Sequence, residues 1–325
     1  MITPVTELRL LGSAIHVSPV ALGCWPISGM TSLDVNEADS LATLHAALDS
    51  GINFLDTAYA YGAAGESERL IARAIAGRRN QVVIATKGGI AWDSRGGRVF
   101  DGRPETLRRQ CEESLQRLET DRVELLYLHA PDPYTPLAES AGELRRLMEE
   151  GKTQSIGVSN FNLAQLKEFH AVCPLTAFQP PYNMLQRDIE RDVLPWCREQ
   201  SIAVCVYWPL LKGLLAGKLP RDFVFQKGDG RAKYPMFQGQ EWERNQDLLD
   251  ELRLIAAEVG KTVGQLVINW TIHQPGITAA LCGAKRPEQI RETAGAMGWR
   301  LSPEQFARID AALARRGTPV TKGAV

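Results

Sequence analysis

The sequence predicts an α/β protein: a (β/α)8 TIM barrel with an N-terminal β-hairpin and an extra C-terminal helix, spanning residues 1–325 as one domain. Three observations carry this. Eight short apolar, β-favouring runs recur along the chain, stretches of helical period lie between most of them, and no low-complexity segment or shift of composition marks a boundary. Continuous apolar strands alternating with amphipathic helices predict a parallel sheet covered by helices, and eight such units favour closure.

The elements read in order. "LRLLGSAIHVS" has two extended pieces around Gly12-Ser13, a hairpin suited to closing the barrel bottom. The eight runs are "VALGC" (20–24), "INFLD" (52–56), "VVIATK" (82–87), "VELLYLH" (123–129), "SIGVSN" (155–160), "LTAFQ" (175–179), "IAVCVYW" (202–208) and "ITAALCG" (277–283). After the second run, "GESE" puts Glu66 and Glu68 in the first turn of a helix, where they complement its dipole. "WDSRGGRVFDGRP" reads as a loop, either a cover for the substrate or a solvated connection. "RPETLRRQCEESLQRL" has Pro104 in its first turn and a stripe of Leu107, Cys111, Leu115 and Leu118. "LAESAGELRRLMEEGK" ends on Gly151, as helices often do. The connection from Trp208 to Ile277 is the longest, and "RDFVFQKGDGRAKYPMFQGQ" within it is polar, Gly-rich and without period, the pattern of a lid or binding loop. "SPEQFARIDAALARR" is the extra helix, and "GTPVTKGAV" reads as a loose tail.

Composition narrows the function. Lys plus Arg number 37 against 38 Asp plus Glu, a net charge of −1 that gives no electrostatic case for nucleic acid or an acidic membrane surface. A small-molecule substrate fits better. The six cysteines, Cys24, Cys111, Cys173, Cys197, Cys205 and Cys282, lack CxxC spacing and read as reduced core residues of a cytoplasmic protein. "MITPVTELRLLG" has no signal-peptide pattern, and no segment is apolar for long enough to span a bilayer. Oligomeric state is not legible.

Polar groups end most of the runs: Asp56, Lys87, His129, Ser159 with Asn160, Gln179, and Tyr207 with Trp208. The C-terminal ends of barrel strands form the active face. Any one such residue is adequately explained as marking where a strand stops; Asp56, Lys87 and His129 on three neighbouring strands are not. A buried lysine requires a counter-charge, and Asp56 is the nearest in barrel order. A lysine beside a tyrosine favours phenolate and is expected to lower the phenol pKa, making tyrosine a general acid. Tyr59 and Tyr61 both follow Asp56, and the residues alone do not choose between them. His129 could donate to a substrate carbonyl oxygen. No side chain supplies a hydride, so reduction needs a cofactor. "GDGRAK" is no Rossmann fingerprint, lacking the third glycine and following no strand. "CGAKRPEQIRE" instead offers Lys285, Arg286 and a helix start at Pro287, an anion site after the eighth strand. His16, His45, His170 and His273 show no metal spacing, and no metal is expected.

"DTAYAYG", "ATKGG", "LYLHAPD", "GVSNF", "FQPPYN", "VYWPLLKGLLAGK" and "GAKRPEQI" occur in the order and spacing of the aldo-keto reductases, and the chain resembles that family from about residue 8 to 315. The resemblance implies carbonyl reduction with NADPH preferred over NADH, or alcohol oxidation with NADP+, on a (β/α)8 barrel without metal. It makes Tyr61 the catalytic tyrosine, with Asp56, Lys87 and His129 as partners, and leaves Tyr59 at most a pocket wall. It assigns Ser159, Asn160 and Gln179 to the nicotinamide carboxamide and Tyr207 to stacking on the ring. Leu210, Gly213 and Leu215, with Lys218 nearby, fall to the pyrophosphate; Gly283, Lys285, Arg286, Gln289 and Glu292 to the adenosine and 2′-phosphate end. Gly23, Asp56 and Trp208 complete the expected cofactor set. Two positions depart from the family pattern: Trp208, where serine is frequent, and Thr293, where asparagine commonly reads adenine. Trp25 and Trp92, with Tyr61 and His129, are the candidate substrate contacts. Two other functions are compatible with the motifs: a Schiff-base lyase using Lys87, and a regulatory nicotinamide-binding protein with the reductase fold.

Overall fold

The computed structural model describes residues 8–12, 14–30 and 34–321. It opens with an antiparallel hairpin, β1 (Arg9–Leu11) and β2 (Ile15–Val17), in which Leu11 faces Ile15. Ser13 of its turn lies outside the described residues, as do the first seven residues and the last four of the expected tail. Leu11, Ile15 and Val17 are buried against the inward side chains of the barrel strands, including Phe54, Val83 and Ala279, so the hairpin plugs one end.

The chain then continues as β3 (Val20–Gly23), α1 (Glu37–Asp49), β4 (Phe54–Asp56), α2 (Glu66–Ala74) and β5 (Val83–Gly88). A second hairpin follows, β6 (Ile90–Trp92) with β7 (Arg98–Phe100), and then α3 (Pro104–Arg117), β8 (Leu125–Leu128), α4 (Leu137–Glu149), β9 (Ile156–Ser159) and α5 (Leu163–Val172). β10 (Ala177–Gln179), α6 (Val193–Glu199), β11 (Ala203–Tyr207), α7 (Gly239–Glu258), α8 (Val263–Ile272), β12 (Ile277–Gly283), α9 (Pro287–Ala294) and α10 (Pro303–Arg316) complete it. β3, β4, β5, β8, β9, β10, β11 and β12 pair in parallel and close on themselves through the β12–β3 ladder. These are the eight expected runs, with the N-terminal hairpin and the C-terminal helix also in place.

The differences are local. Most strands begin one or two residues later than the apolar runs, because paired ladder is confined to the middle of each run; Val123 is buried yet only bridges to Thr153. "WDSRGGRVFDGRP" is a hairpin rather than a loop: Asp93 Oδ1 accepts from the backbone N–H of Arg95 and Gly97, and Gly96 takes φ 76°. The segment 221–240 is ordered by edge-to-face contacts running from Phe223 through Phe225 to Phe237, which packs on Trp242 of α7. Helix ends follow the sequence. Asn162, Thr262 and Ser302 each form a capping box, the α3 stripe is buried, and Gly151 takes φ 77° just beyond α4. Gly157 in β9 is required by packing, since a Cβ there would lie 2.4 Å from Tyr127 Cε1. All six cysteines are buried thiols, and among the described residues no helix is long and apolar enough to cross a membrane.

Candidate active site

The barrel order sets β3, β4, β5 and β8 side by side, so Asp56, Lys87 and His129 meet at the C-terminal ends of adjacent strands. Lys87 and Asp56 are 1% and 2% exposed, a depth at which neither charge is tolerable without the other. The Lys87 Nζ donates to Asp56 Oδ1 at 2.5 Å and to the Thr57 carbonyl at 2.7 Å, and lies 3.5 Å from the Tyr61 hydroxyl. Gln179, across the barrel on β10, donates through Nε2 to the other carboxylate oxygen of Asp56 at 2.7 Å. The ammonium thus has three oxygen neighbours, and both Asp56 oxygens accept a hydrogen bond.

Tyr61 stands where a turn brings it back over the strand ends, its N–H bonded to the Ala58 carbonyl at 3.0 Å. Its ring lies 4.9 Å from Lys87 Nζ, edge-on to Trp25 at 5.0 Å and to His129 at 5.9 Å. Tyr59 points elsewhere. Its hydroxyl donates to Glu113 Oε2 on α3 at 2.7 Å and the Arg117 guanidinium covers its ring at 4.3 Å, so it is not a pocket wall. Glu68 likewise does more than face a helix dipole: fully buried, it accepts from Thr86 Oγ1 at 2.7 Å and pairs with Arg117 at 3.2 Å, tying α2 to β5 and α3.

The electrostatics follow from burial. Asp56 holds the Lys87 pKa above its ordinary value against desolvation, while burial raises that of Asp56 against Lys87 and Gln179. The expectation of a lowered phenol pKa is reversed: burial raises the Tyr61 hydroxyl, with Lys87 opposing it only in part. Burial, then Lys87 and Arg98, push His129 well below the usual histidine value, and its buried Nδ1 has no hydrogen-bond partner. At neutral pH the group is therefore an ion pair, a protonated phenol and a neutral imidazole, which together can deliver one proton and one hydrogen bond to the same oxygen.

The residues expected to hold a cofactor adjoin this group. Ser159 Oγ donates to the Gln179 carbonyl at 2.8 Å. Asn160, in the left-handed region at φ 62°, donates from Nδ2 to the His129 carbonyl at 2.9 Å and accepts from the Tyr207 hydroxyl at 2.7 Å. The amide thereby ties the Tyr207 ring to the catalytic strands. Trp208, also left-handed, stands edge-on to Tyr207 at 5.2 Å with the Lys212 ammonium 4.1 Å above its ring. Leu210 is half-buried, Gly213 turns the chain at φ 90°, and the buried Leu215 side chain leaves only backbone for any contact there. Gly23 and Gly283 pair at the ends of β3 and β12. Lys218 and Glu292 form an ion pair, the Gln289 side chain accepts from the Lys285 N–H at 2.9 Å, and Arg286 is the N-cap of α9, pairing with Asp39 at 3.1 Å. An aromatic shelf, an amide pair and a cationic helix N-terminus form a donor set that suits a nicotinamide dinucleotide. Thr293 turns its hydroxyl onto the Ile290 carbonyl of its own helix at 3.1 Å.

Trp92 donates from Nε1 to the Ala60 carbonyl at 2.7 Å, and its ring is 6.3 Å from that of Trp25, so Trp25 borders the Tyr61 ring directly and Trp92 packs behind it on the turn that carries Tyr61. Sequence reasoning missed Tyr127, fully buried with its ring 5.9 Å from Lys87 Nζ, and the Glu68–Arg117–Tyr59 set behind the catalytic turn. Tyr127 had a signal, a large polar aromatic facing inward between Lys87 and Gly157. Among the described residues no group of His, Cys, Asp or Glu could hold a metal ion.

The Aldo/keto reductase family model matches residues 19–314. The aldo-keto reductase YhdN of Bacillus subtilis is 37% identical over 305 residues, covering 93% of this chain and 91% of that protein. Among solved structures, a glycerol dehydrogenase from Gluconobacter oxydans superposes with a TM-score of 0.90 at 36% identity, over 98% of each chain. The holo form of an aldo-keto reductase from Bacillus halodurans shares the fold at a TM-score of 0.80 and 24% identity, over 98% of this chain and 97% of that one.

Proposed function

The chain belongs to the aldo/keto reductase family, whose members are oxidoreductases of carbonyl compounds, and from that premise we propose that it interconverts an aldehyde or ketone and its alcohol using NADP(H), with Tyr61 as the general acid and base. The observation that carries the proposal is Lys87 bridging the Asp56 carboxylate and the Tyr61 hydroxyl at the barrel mouth, beside a neutral His129.

In reduction the bound nicotinamide supplies the hydride. Tyr61 gives its proton to the carbonyl oxygen as negative charge develops there, and the neutral His129 donates a hydrogen bond to the same oxygen and fixes its direction. Lys87 stabilises the phenolate left behind, and Asp56, itself held by Gln179, keeps Lys87 charged and in place. Tyr207, Ser159 and Asn160 would hold the nicotinamide against this group, and Lys285 and Arg286 at the α9 N-terminus would receive the 2′-phosphate at the other end of the dinucleotide. In oxidation the same residues run in reverse. A Schiff-base role for Lys87 is disfavoured, because that chemistry needs a neutral amine and Asp56 keeps this one protonated.

Similarity to a glycerol dehydrogenase supports a small, hydroxylated substrate. The test is a panel of aldehydes, ketones and aldoses with NADPH and of polyols with NADP+, followed by reduced-cofactor absorbance. Turnover of several members supports the proposal. Cofactor binding with no turnover of any member points instead to a regulatory binding protein.

A further inference from the structure

The β6–β7 hairpin overlies the catalytic turn. Antiparallel pairing sets Ile90 opposite Phe100, Ala91 opposite Val99 and Trp92 opposite Arg98. Residues directly opposite one another share a face, and side chains alternate along each strand. Ile90, Trp92, Arg98 and Phe100 therefore occupy one face, and Ala91 with Val99 the other. The first of these is the inner face: Ile90, Trp92 and Phe100 pack on Ala60 and Ala130, the neighbours of Tyr61 and His129. Val99, on the other face, is exposed to solvent. The Arg98 guanidinium lies over the Trp92 ring at 5.7 Å, on the indole that leads through Trp25 to Tyr61.

Among the described residues Arg98 has no ion-pair partner. The arginines that follow it are matched: Arg103 with Asp101, Arg109 with Glu113, Arg117 with Glu68. An exposed arginine is ordinarily solvated and needs no function, but this one is held by its indole on the face that looks into the site. Its charge is felt there, since it helps to depress the His129 pKa and acts against the rise at Tyr207.

We infer that Arg98 is a specificity residue that receives an anionic group, a carboxylate or phosphate, at the far end of a substrate whose carbonyl lies at Tyr61 and His129. The inference rests on the carbonyl-reducing reading of the site. A guanidinium lying over an indole through a cation–π contact keeps N–H groups available for a bidentate contact with such a group. With no protein carboxylate in ion-pair contact, the substrate supplies the counter-charge.

The test compares 4-oxobutanoate with butanal, aldehydes of equal chain length of which only the first carries a carboxylate, as substrates of the full chain with NADPH. The wild-type protein is expected to favour 4-oxobutanoate. In Arg98→Ala the ratio of kcat/KM values should fall about tenfold or more, through KM, with partial recovery in Arg98→Lys. An unchanged ratio, or a wild-type preference for butanal, overturns the inference. Calorimetric titration of the NADP+-loaded protein with unreactive succinate gives a readout free of turnover: binding lost in Arg98→Ala supports the site, and no binding or unchanged binding overturns it. If no aldehyde is reduced, the proposed reaction fails while the titration still decides the role of Arg98.

Discussion

Replacing Lys87 with methionine removes the ammonium and keeps most of the side-chain volume. At the 2.5 Å separation from Asp56 Oδ1, and an effective dielectric near 20, the attraction lost is about 7 kcal/mol before desolvation is counted. The net cost is smaller, because the buried lysine no longer needs desolvating, and about 3–5 kcal/mol is expected for leaving one member of a buried pair alone. Asp56 would retain the Gln179 hydrogen bond but lose its counter-charge. Its raised pKa should rise further, so the folded state takes up a proton that the unfolded state does not. Stability then falls as pH rises through that range, and the deficit of the variant should be smaller at pH 5 than at pH 8. Lys87→Met combined with Asp56→Asn removes both charges and should recover most of the loss. Urea unfolding of the four proteins of the cycle at the two pH values is the assay. A single variant within about 1 kcal/mol of wild type, or a double variant whose cost equals the sum of the singles, would refute the reasoning.

Two further outcomes follow from the site. Because the Tyr61 pKa lies above its ordinary value and that of His129 well below, reduction should be nearly independent of pH from about 6 to 9 and decline only in alkali as the phenol ionises; a pH–kcat profile with an acid limb near 6.5 would contradict the neutral imidazole. Arg286→Ala should weaken NADPH about tenfold more than NADH by fluorescence titration, since only the former carries a 2′-phosphate; equal loss for both removes that assignment.

Much of this site could be read from the sequence, because a barrel converts strand ends into a cluster without long-range information. Asp56, Lys87 and His129 each end an apolar run, and parallel pairing of neighbours brings them together. What could not be read depends on contacts that no local pattern encodes. Gln179 reaches Asp56 from 123 positions away, and Tyr59 is drawn off by Glu113, 54 positions away. Glu68 looks like an ordinary first-turn acid until Arg117 and Thr86 close on it. The direction of the Tyr61 pKa depended on burial outweighing a lysine 3.5 Å away, a balance set by packing rather than by neighbours in sequence. The β6–β7 hairpin did leave a trace, alternation on either side of "DSRGG", overshadowed by the turn-rich composition.

The central claim is that Tyr61 transfers the proton. The most direct measurement is the turnover of Tyr61→Phe with NADPH and a reducible aldehyde, beside cofactor affinity from fluorescence titration and with Tyr59→Phe as the control. Loss of the hydroxyl should lower kcat by roughly 10²–10⁴-fold while NADPH binds as before, and Tyr59→Phe should stay within about twofold of wild type. A Tyr61→Phe enzyme that turns over at near wild-type rate would contradict the account.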